Sequence, residues 1–284
     1  MDSLHRGFKN LVGIAPLPFD TYHSSVSGVG AVFTKTVTLN ARPERVGRTI
    51  VNLGGGALLN RVALANLGLT AFLAKRLPYL DSLEVPVWVS ITGENADEFA
   101  VLASAMAAAK ARTRNLTGLE INVSCPNGLA RFQPDLIRAV VAATRKNWRD
   151  LLTVKLAPGP NLEAEVAAVQ NAGGACVTLT NTLRTRIQHE GESLDGGISG
   201  PPLHGHALRA IKVIRSRFGT EIDIIGCGGV DTAASAREML EAGAGHVLVG
   251  TAEWLQPGTT CSIAMELGDF TPHHHRNQAL DAHV

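Results

Sequence analysis

The sequence carries almost no net charge: 26 lysines and arginines stand against 25 aspartates and glutamates in 284 residues, a formal balance of +1. No field of one sign is available to gather phosphate backbones or anionic lipid, which argues against nucleic-acid and membrane-surface binding. Cysteine is scarce. Cys125, Cys176, Cys227 and Cys261 lie far apart, with no CxxC pair and no histidine at ligand spacing, so they read as reduced cytosolic thiols. Long apolar runs are missing as well. The longest, around Phe99 to Ala109, falls short of the roughly 18 residues that a membrane span requires. Met1 to Asn10 carries charge without the apolar centre of a signal peptide. A soluble cytoplasmic protein is expected, and no repeat of solenoid period stands out.

What is present is a globular composition, 45% apolar and 18% charged, which excludes disorder and fibrous folds. The length exceeds the roughly 100–200 residues of a typical domain and is close to the roughly 250 of a (β/α)8 barrel. Short Val-, Ile- and Thr-rich runs alternate with longer Ala-rich stretches of helical period, the pattern of βαβ units. Strands are expected at Leu11–Ala15, Ala31–Lys35, Val87–Thr92, Leu119–Ser124, Leu152–Leu156, Cys176–Asn181, Asp223–Cys227 and His246–Thr251. Helices are expected at Asn95–Arg112, Pro134–Asn147, Leu162–Gly173, His206–Phe218 and Thr232–Gly243. Eight strands with intervening helices fit a closed TIM barrel better than a doubly wound sheet. The stretch Thr36–Pro86 is an insertion between the second and third strands, and no linker marks a second domain, so residues 1–284 are read as one barrel domain.

Such a barrel works at the C-terminal ends of its strands. There the sequence places Lys35, Asn122, Lys155 and Asn181, and just past the fourth strand Cys125 between the amides Asn122 and Asn127. Each has an ordinary structural explanation: a strand-end Asn satisfies a turn, a strand-end Lys reaches solvent, and a cysteine is usually a buried inert thiol. Their joint placement points to a site, with Cys125 as a base if a cation or dipole tunes it. Cys176 and Cys227 read as buried and inert. The seventh and eighth strands end in Gly226-Cys227-Gly228-Gly229 and Gly250-Thr251-Ala252, where glycine-rich loops and helix starts form a phosphate cradle. Without Lys or Arg in these loops, the phosphate would rest on backbone dipoles. His273-His274-His275 reads as a solvated tail, so no metal is expected, and His189, His204 and His206 are placed in a loop and assigned no role.

The segments Gly30 to Leu39, Ile121 to Asn127, Val154-Lys155-Leu156, Asn181-Thr182-Leu183, Gly196 to Pro201 and the two glycine loops resemble, in order from about Phe8 to Trp254, the soluble class 1 dihydroorotate dehydrogenases. The resemblance implies an FMN-dependent barrel that oxidises (S)-dihydroorotate to orotate. It implies Cys125 as the base, with Lys35, Asn60, Asn122, Asn127, Asn181 and Thr182 on the substrate. Lys35, Thr36, Lys155, Gly200, Gly228, Gly229, Gly250 and Thr251 would hold FMN, Lys155 lying against the flavin edge that gains charge on reduction. The wording at Thr36-Val37-Thr38-Leu39 and Asn181-Thr182-Leu183 is closest to the subgroup that works with a separate FAD and iron–sulfur subunit and NAD; homodimers are the family habit. Three departures stand out: Pro16-Leu17-Pro18 beside the first strand, a shortened lid from Gly128 to Phe132, and Ala63 where a glycine is usual. They keep open a homologue acting on another dihydropyrimidine or dihydro-heterocycle. A non-catalytic barrel subunit and a flavin-free phosphate-sugar barrel are the remaining alternatives.

Overall fold

The computed structural model describes residues 4–17, 26, 28–44, 46–125 and 132–268. Eight parallel strands close into a barrel: β1 (Val12–Ile14), β2 (Val32–Phe33), β5 (Val87–Ile91), β6 (Leu116–Asn122), β7 (Leu151–Leu156), β8 (Cys176–Leu179), β11 (Asp223–Cys227) and β12 (His246–Val249). All eight coincide with runs expected from the sequence, although β2 keeps only two residues of its run. The TIM-barrel reading is therefore correct.

The helices follow where the periodicity puts them: α3 (Ala96–Lys110), α4 (Pro134–Asn147), α5 (Leu162–Asn171), α6 (His204–Phe218) and α7 (Ala233–Glu241). Local chemistry sets their starts. The Asn95 side chain accepts the Glu98 N–H at the head of α3, Pro134 opens α4, and Thr232 and Ser235 form a capping box on α7. Two short helices, α8 (Thr251–Leu255) and α9 (Thr259–Leu267), complete the ring after β12. No helix among the described residues is long and apolar enough to cross a membrane.

Both faces of the strands are covered, yet they keep a period of two. Val87, Val89 and Ile91 of β5 join the core between strands and helices. Trp88, between them, joins an inner cluster with Phe33, Ile225 and Leu248, where it stacks on Phe33 with ring centroids 5.1 Å apart. The barrel is thus a filled core, not a pore.

A second sheet departs from the sequence reading. The insertion holds an antiparallel hairpin, β3 (Ile50–Gly54) and β4 (Ala57–Asn60), followed by helical turns α1 (Gly68–Ala71) and α2 (Leu77–Asp81). A second hairpin, β9 (Leu183–His189) and β10 (Glu192–Ser199), leaves the end of β8. The two hairpins join through β4 and β10, with Asn60 opposite Gly197 and Leu58 opposite Ser199. The histidines expected in a loop are relocated accordingly. His189 ends β9, and His204 and His206 lie in the first turn of α6, where His204 Nε2 meets Glu238 Oε2 of α7 at 2.8 Å.

Candidate active site

The inner-face period of β6 carries Glu120 and Asn122 to the barrel axis. β7 brings Thr153 and Lys155, β8 brings Thr178, and β5 brings Ser90; all of these are buried. At this level the interior is polar, whereas the layer below it is packed with Trp88 and Phe33.

These polar groups are joined in one network. Asn181 Nδ2 donates to Asn122 Oδ1 at 3.0 Å and to Ser124 Oγ at 3.1 Å. Asn122 Nδ2 donates to Thr36 Oγ1 at 3.0 Å, and Thr36 Oγ1 lies 3.0 Å from Ser90 Oγ. Ser90 Oγ donates to Glu120 Oε1 at 2.9 Å, while Ser124 Oγ donates to the Lys155 carbonyl at 2.8 Å. Thr182 N–H donates to Asn181 Oδ1 at 2.9 Å. Because each of the two amides both donates and accepts within the network, its orientation is fixed.

Lys155 Nζ sits 3.9 Å from Glu120 Oε2. Burial is the largest influence on the lysine and opposes its charge. Glu120, with Cys227 and Cys125 adding in the same sense, outweighs it, and the ammonium is held above the ordinary lysine range. Burial pushes the Glu120 carboxyl above the usual carboxylate range, with Lys155, Ser90 and Thr178 pulling the other way. Burial also raises the thiols of Cys227 and Cys176, as expected of inert buried cysteines.

Two adjoining cavities open above this layer. The larger, about 550 Å³, is lined by Lys155, Thr180, Ser199, Gly200, Gly228, Gly229, Gly250 and Thr251 among others. The smaller, about 120 Å³, is lined by Lys35, Thr36, Val62, Ala63, Leu64, Asn122 and Cys125. Pro16, Leu17, Asn60, Lys155, Asn181 and Thr182 line both. The residues expected from the sequence therefore converge in two compartments with a shared wall, and Lys155 stands between them. Asn127 and most of the shortened lid lie outside the described residues, as do Pro18 and the histidines at 273–275.

The second sheet covers the mouth. Leu58, Asn60 and Ser199, from β4 and β10, line the larger cavity. Gly200, at φ +89°, brings the chain so close to the β3–β4 turn that a Cβ there would fall 2.2 Å from the Gly56 carbonyl oxygen. Gly229, at φ +75°, approaches α6, where a Cβ would fall 2.7 Å from the His204 backbone nitrogen. Both positions favour glycine through backbone conformation and through space. α8 starts at Thr251 with Gly250 as its N-cap and no capping side chain, which leaves first-turn N–H groups for a ligand.

The larger cavity fits FMN. Its volume is in the range of cofactor pockets, its far end is built of glycine-rich loop and helix start suited to a phosphate, and its near end holds a buried ammonium suited to a flavin edge that gains negative charge. Glu120, Ser90 and Ser124 were not picked out from the sequence. The signal was present for two of them: Glu120 and Asn122 alternate along β6 and Ser124 continues the period just past its end, so the charge and the hydroxyl follow the spacing of the chosen amide.

Residues 19–270 match the family model described as dihydroorotate dehydrogenase. The chain belongs to the dihydroorotate dehydrogenase family. Members of this family are oxidoreductases acting on CH–CH donors. Among curated relatives, the dihydroorotate dehydrogenase B (NAD(+)) catalytic subunit of Desulforudis audaxviator is 34% identical over 257 residues, covering 86% of this chain and 81% of that protein. The protein of the same name from Trichlorobacter lovleyi is 35% identical over 249 residues, covering 83% and 79%. Among solved structures, a dihydroorotate dehydrogenase from Eimeria tenella in complex with ferulenol superposes with a TM-score of 0.75 over 95% of this chain and 82% of its own. At 22% identity that likeness supports the barrel fold alone.

Proposed function

We propose that this dihydroorotate dehydrogenase family member uses FMN to oxidise (S)-dihydroorotate to orotate, the pyrimidine-biosynthetic reaction, in a single barrel domain. The observation that carries this reading is the pair of adjoining cavities with Lys155, Asn60, Asn181 and Thr182 in their common wall and Cys125 in the lining of the smaller. Bound in the larger cavity, FMN would supply the hydride acceptor.

The chain's own residues do the rest. Gly200, Gly228, Gly229, Gly250 and Thr251 cradle the phosphate end, and Lys155 faces the ring end, with Lys35 and Thr36 reaching it from the smaller cavity. Asn60, Asn122, Asn127 and Asn181, with Thr182 and Lys35, grip a planar ring bearing imide and carboxylate groups, a task suited to amides that both donate and accept. Cys125 Sγ takes the proton from C5 of the substrate while hydride leaves C6, so two hydrogens depart from neighbouring carbons and a double bond forms between them. Positioned general bases of this kind contribute roughly 10²–10⁴-fold.

The relatives' designation as catalytic subunits of an NAD(+) enzyme supports a separate electron-transfer subunit, of the FAD and iron–sulfur type, as partner. A homodimer is the expected form of the chain itself. A second substrate reading, another dihydropyrimidine or dihydro-heterocycle, is favoured by one observation. In the wall of the small cavity, Ala63 and Leu64 both adopt left-handed backbone, at φ 55° and 63°, where the resemblance leads one to expect a glycine.

Anaerobic mixing of the FMN-loaded protein with dihydroorotate, followed by flavin absorbance, tests both readings. Rapid bleaching is the expected result. A yellow protein that does not bleach moves the substrate to another dihydro-heterocycle, and a protein that takes up no FMN overturns the proposal.

A further inference from the structure

Glu120 has no part in binding or proton abstraction as described, yet it is wholly buried inside the barrel beneath the site. Its Oε1 accepts the Ser90 hydroxyl, and its Oε2, which has no hydrogen-bond partner among the described residues, faces Lys155 Nζ. An ionised carboxylate only accepts, and this fixes the sense of every bond leading to it. Ser90 has one hydroxyl proton and gives it to Glu120, so in the Thr36–Ser90 contact Thr36 is the donor. Thr36 oxygen then accepts from Asn122 Nδ2, and Asn122 Oδ1 accepts from Asn181 Nδ2. The chain runs one way, from Asn181 through Asn122, Thr36 and Ser90 to the carboxylate. Its first two members are the amides assigned above to the substrate.

We propose that Glu120 is a positioning residue of this site: its carboxylate is the counter-charge that holds the Lys155 ammonium between the two cavities, and as a pure acceptor it sets which way the Asn122 and Asn181 amides face. The role rests on the FMN and dihydropyrimidine reading and deepens it. Glu120→Gln is nearly isosteric but neutral. Its amide oxygen turns toward the ammonium and its NH2 toward Ser90, so Ser90 loses the acceptor for its own proton, and giving that proton to Thr36 instead reverses the sense of the chain. Passed on through Thr36, the reversal has Asn122 present its oxygen to Thr36 and its NH2 to the NH2 of Asn181, so that both amides turn over. Glu120→Asp keeps the charge and the acceptor-only chemistry.

The test compares FMN-loaded wild type, Glu120→Gln and Glu120→Asp by two readouts: the flavin midpoint potential without substrate, and the affinity for orotate from the shift of the flavin visible spectrum. In Glu120→Gln the potential departs from the wild-type value, because Lys155 has lost the carboxylate that offsets its burial and holds its charge beside the flavin, and orotate binding weakens roughly tenfold or more, the scale of mispaired hydrogen bonds to charged or buried groups. Glu120→Asp stays near wild type in both. Wild-type potential and affinity in Glu120→Gln would overturn the proposal, and so would a Glu120→Asp protein displaced as far as Glu120→Gln, which would make the role one of packing. If Glu120→Gln does not fold, Ser90→Ala decides. It cuts the chain but leaves the charge pair, so weakened orotate binding at a near-wild-type potential supports the chain, and unchanged orotate binding overturns it. A wild-type chain that takes up no FMN overturns the functional reading and this role with it, whereas a loaded wild type with an unresponsive Glu120→Gln overturns this role alone.

Discussion

Asn181 and Asn122, 59 residues apart in sequence, meet through a 3.0 Å hydrogen bond across the top of the barrel, so one amide holds the other. Asn181 comes from the end of β8 and Asn122 from the end of β6, and Ser124 Oγ is a second acceptor for the same Asn181 NH2. Replacing Asn181 by leucine leaves two acceptors, the buried Asn122 Oδ1 and the half-buried Ser124 Oγ, short of a donor, at roughly 1–3 kcal/mol each at most. The expected outcome is a KM for dihydroorotate raised tenfold or more together with a lowered Tm, checked by steady-state kinetics and thermal unfolding. A normal KM would remove Asn181 from the substrate site.

Cys125 lies on the small cavity, with Lys155 near enough for the two groups to influence each other electrostatically. Cys125→Ala is expected to keep bound FMN and to slow substrate-driven flavin reduction by on the order of 10²–10⁴. Stopped-flow single turnover at saturating dihydroorotate measures this. An unchanged rate would assign the base elsewhere.

Lys155→Met strands the buried Glu120 carboxyl. Removing one partner of a buried pair costs about 3–5 kcal/mol, and here the loss depends on pH. Glu120 already titrates above its unfolded value because of burial, and losing the lysine raises it further. A carboxyl with a raised folded-state pKa keeps its proton in the native state after the unfolded state has released it, so stability falls as pH rises between the two values. The variant is expected to recover Tm relative to wild type on acidification from neutral toward pH 5. In the wild type, Lys155 is itself raised, so its contribution is complete below the unfolded lysine pKa and is lost only as pH rises through the higher folded value. Thermal unfolding across pH distinguishes the two proteins, and parallel Tm profiles would count against the pair.

Ala63, at φ 55°, occupies backbone that costs a residue with a Cβ roughly 1–2 kcal/mol, against roughly 0.5–1 kcal/mol of extra unfolded-state entropy for glycine. Ala63→Gly should therefore raise stability by about 0.5–1 kcal/mol, a gain of roughly 1–4 °C in Tm for a chain of this size. Differential scanning calorimetry of the two proteins is the check.

The eight barrel strands and five main helices were legible in the chain because apolar periodicity, caps and strand-bounded runs are local. Each strand end could be read for its residue, so Lys35, Asn122, Lys155 and Asn181 followed from position alone. The second sheet was not legible. β4 pairs with β10 across more than 130 residues, and such register depends on where the barrel sets the two hairpins. Along β9, half-buried and exposed residues alternate in strict order from Leu183 to His189, but that pattern does not name a partner strand.

The sequence by itself determined the barrel and much of the inventory of the site: which residues end strands, which loops are rich in glycine, and that a thiol, two lysines and several amides share one rim. Tertiary structure decided the electrostatics. Only the closure of the barrel sets Lys155 of β7 against Glu120 of β6 and strings Asn181, Asn122, Thr36 and Ser90 into one chain ending on that carboxylate. Charge pairing and hydrogen-bond direction depend on separations of 3–4 Å between atoms far apart along the chain, and folding alone creates them.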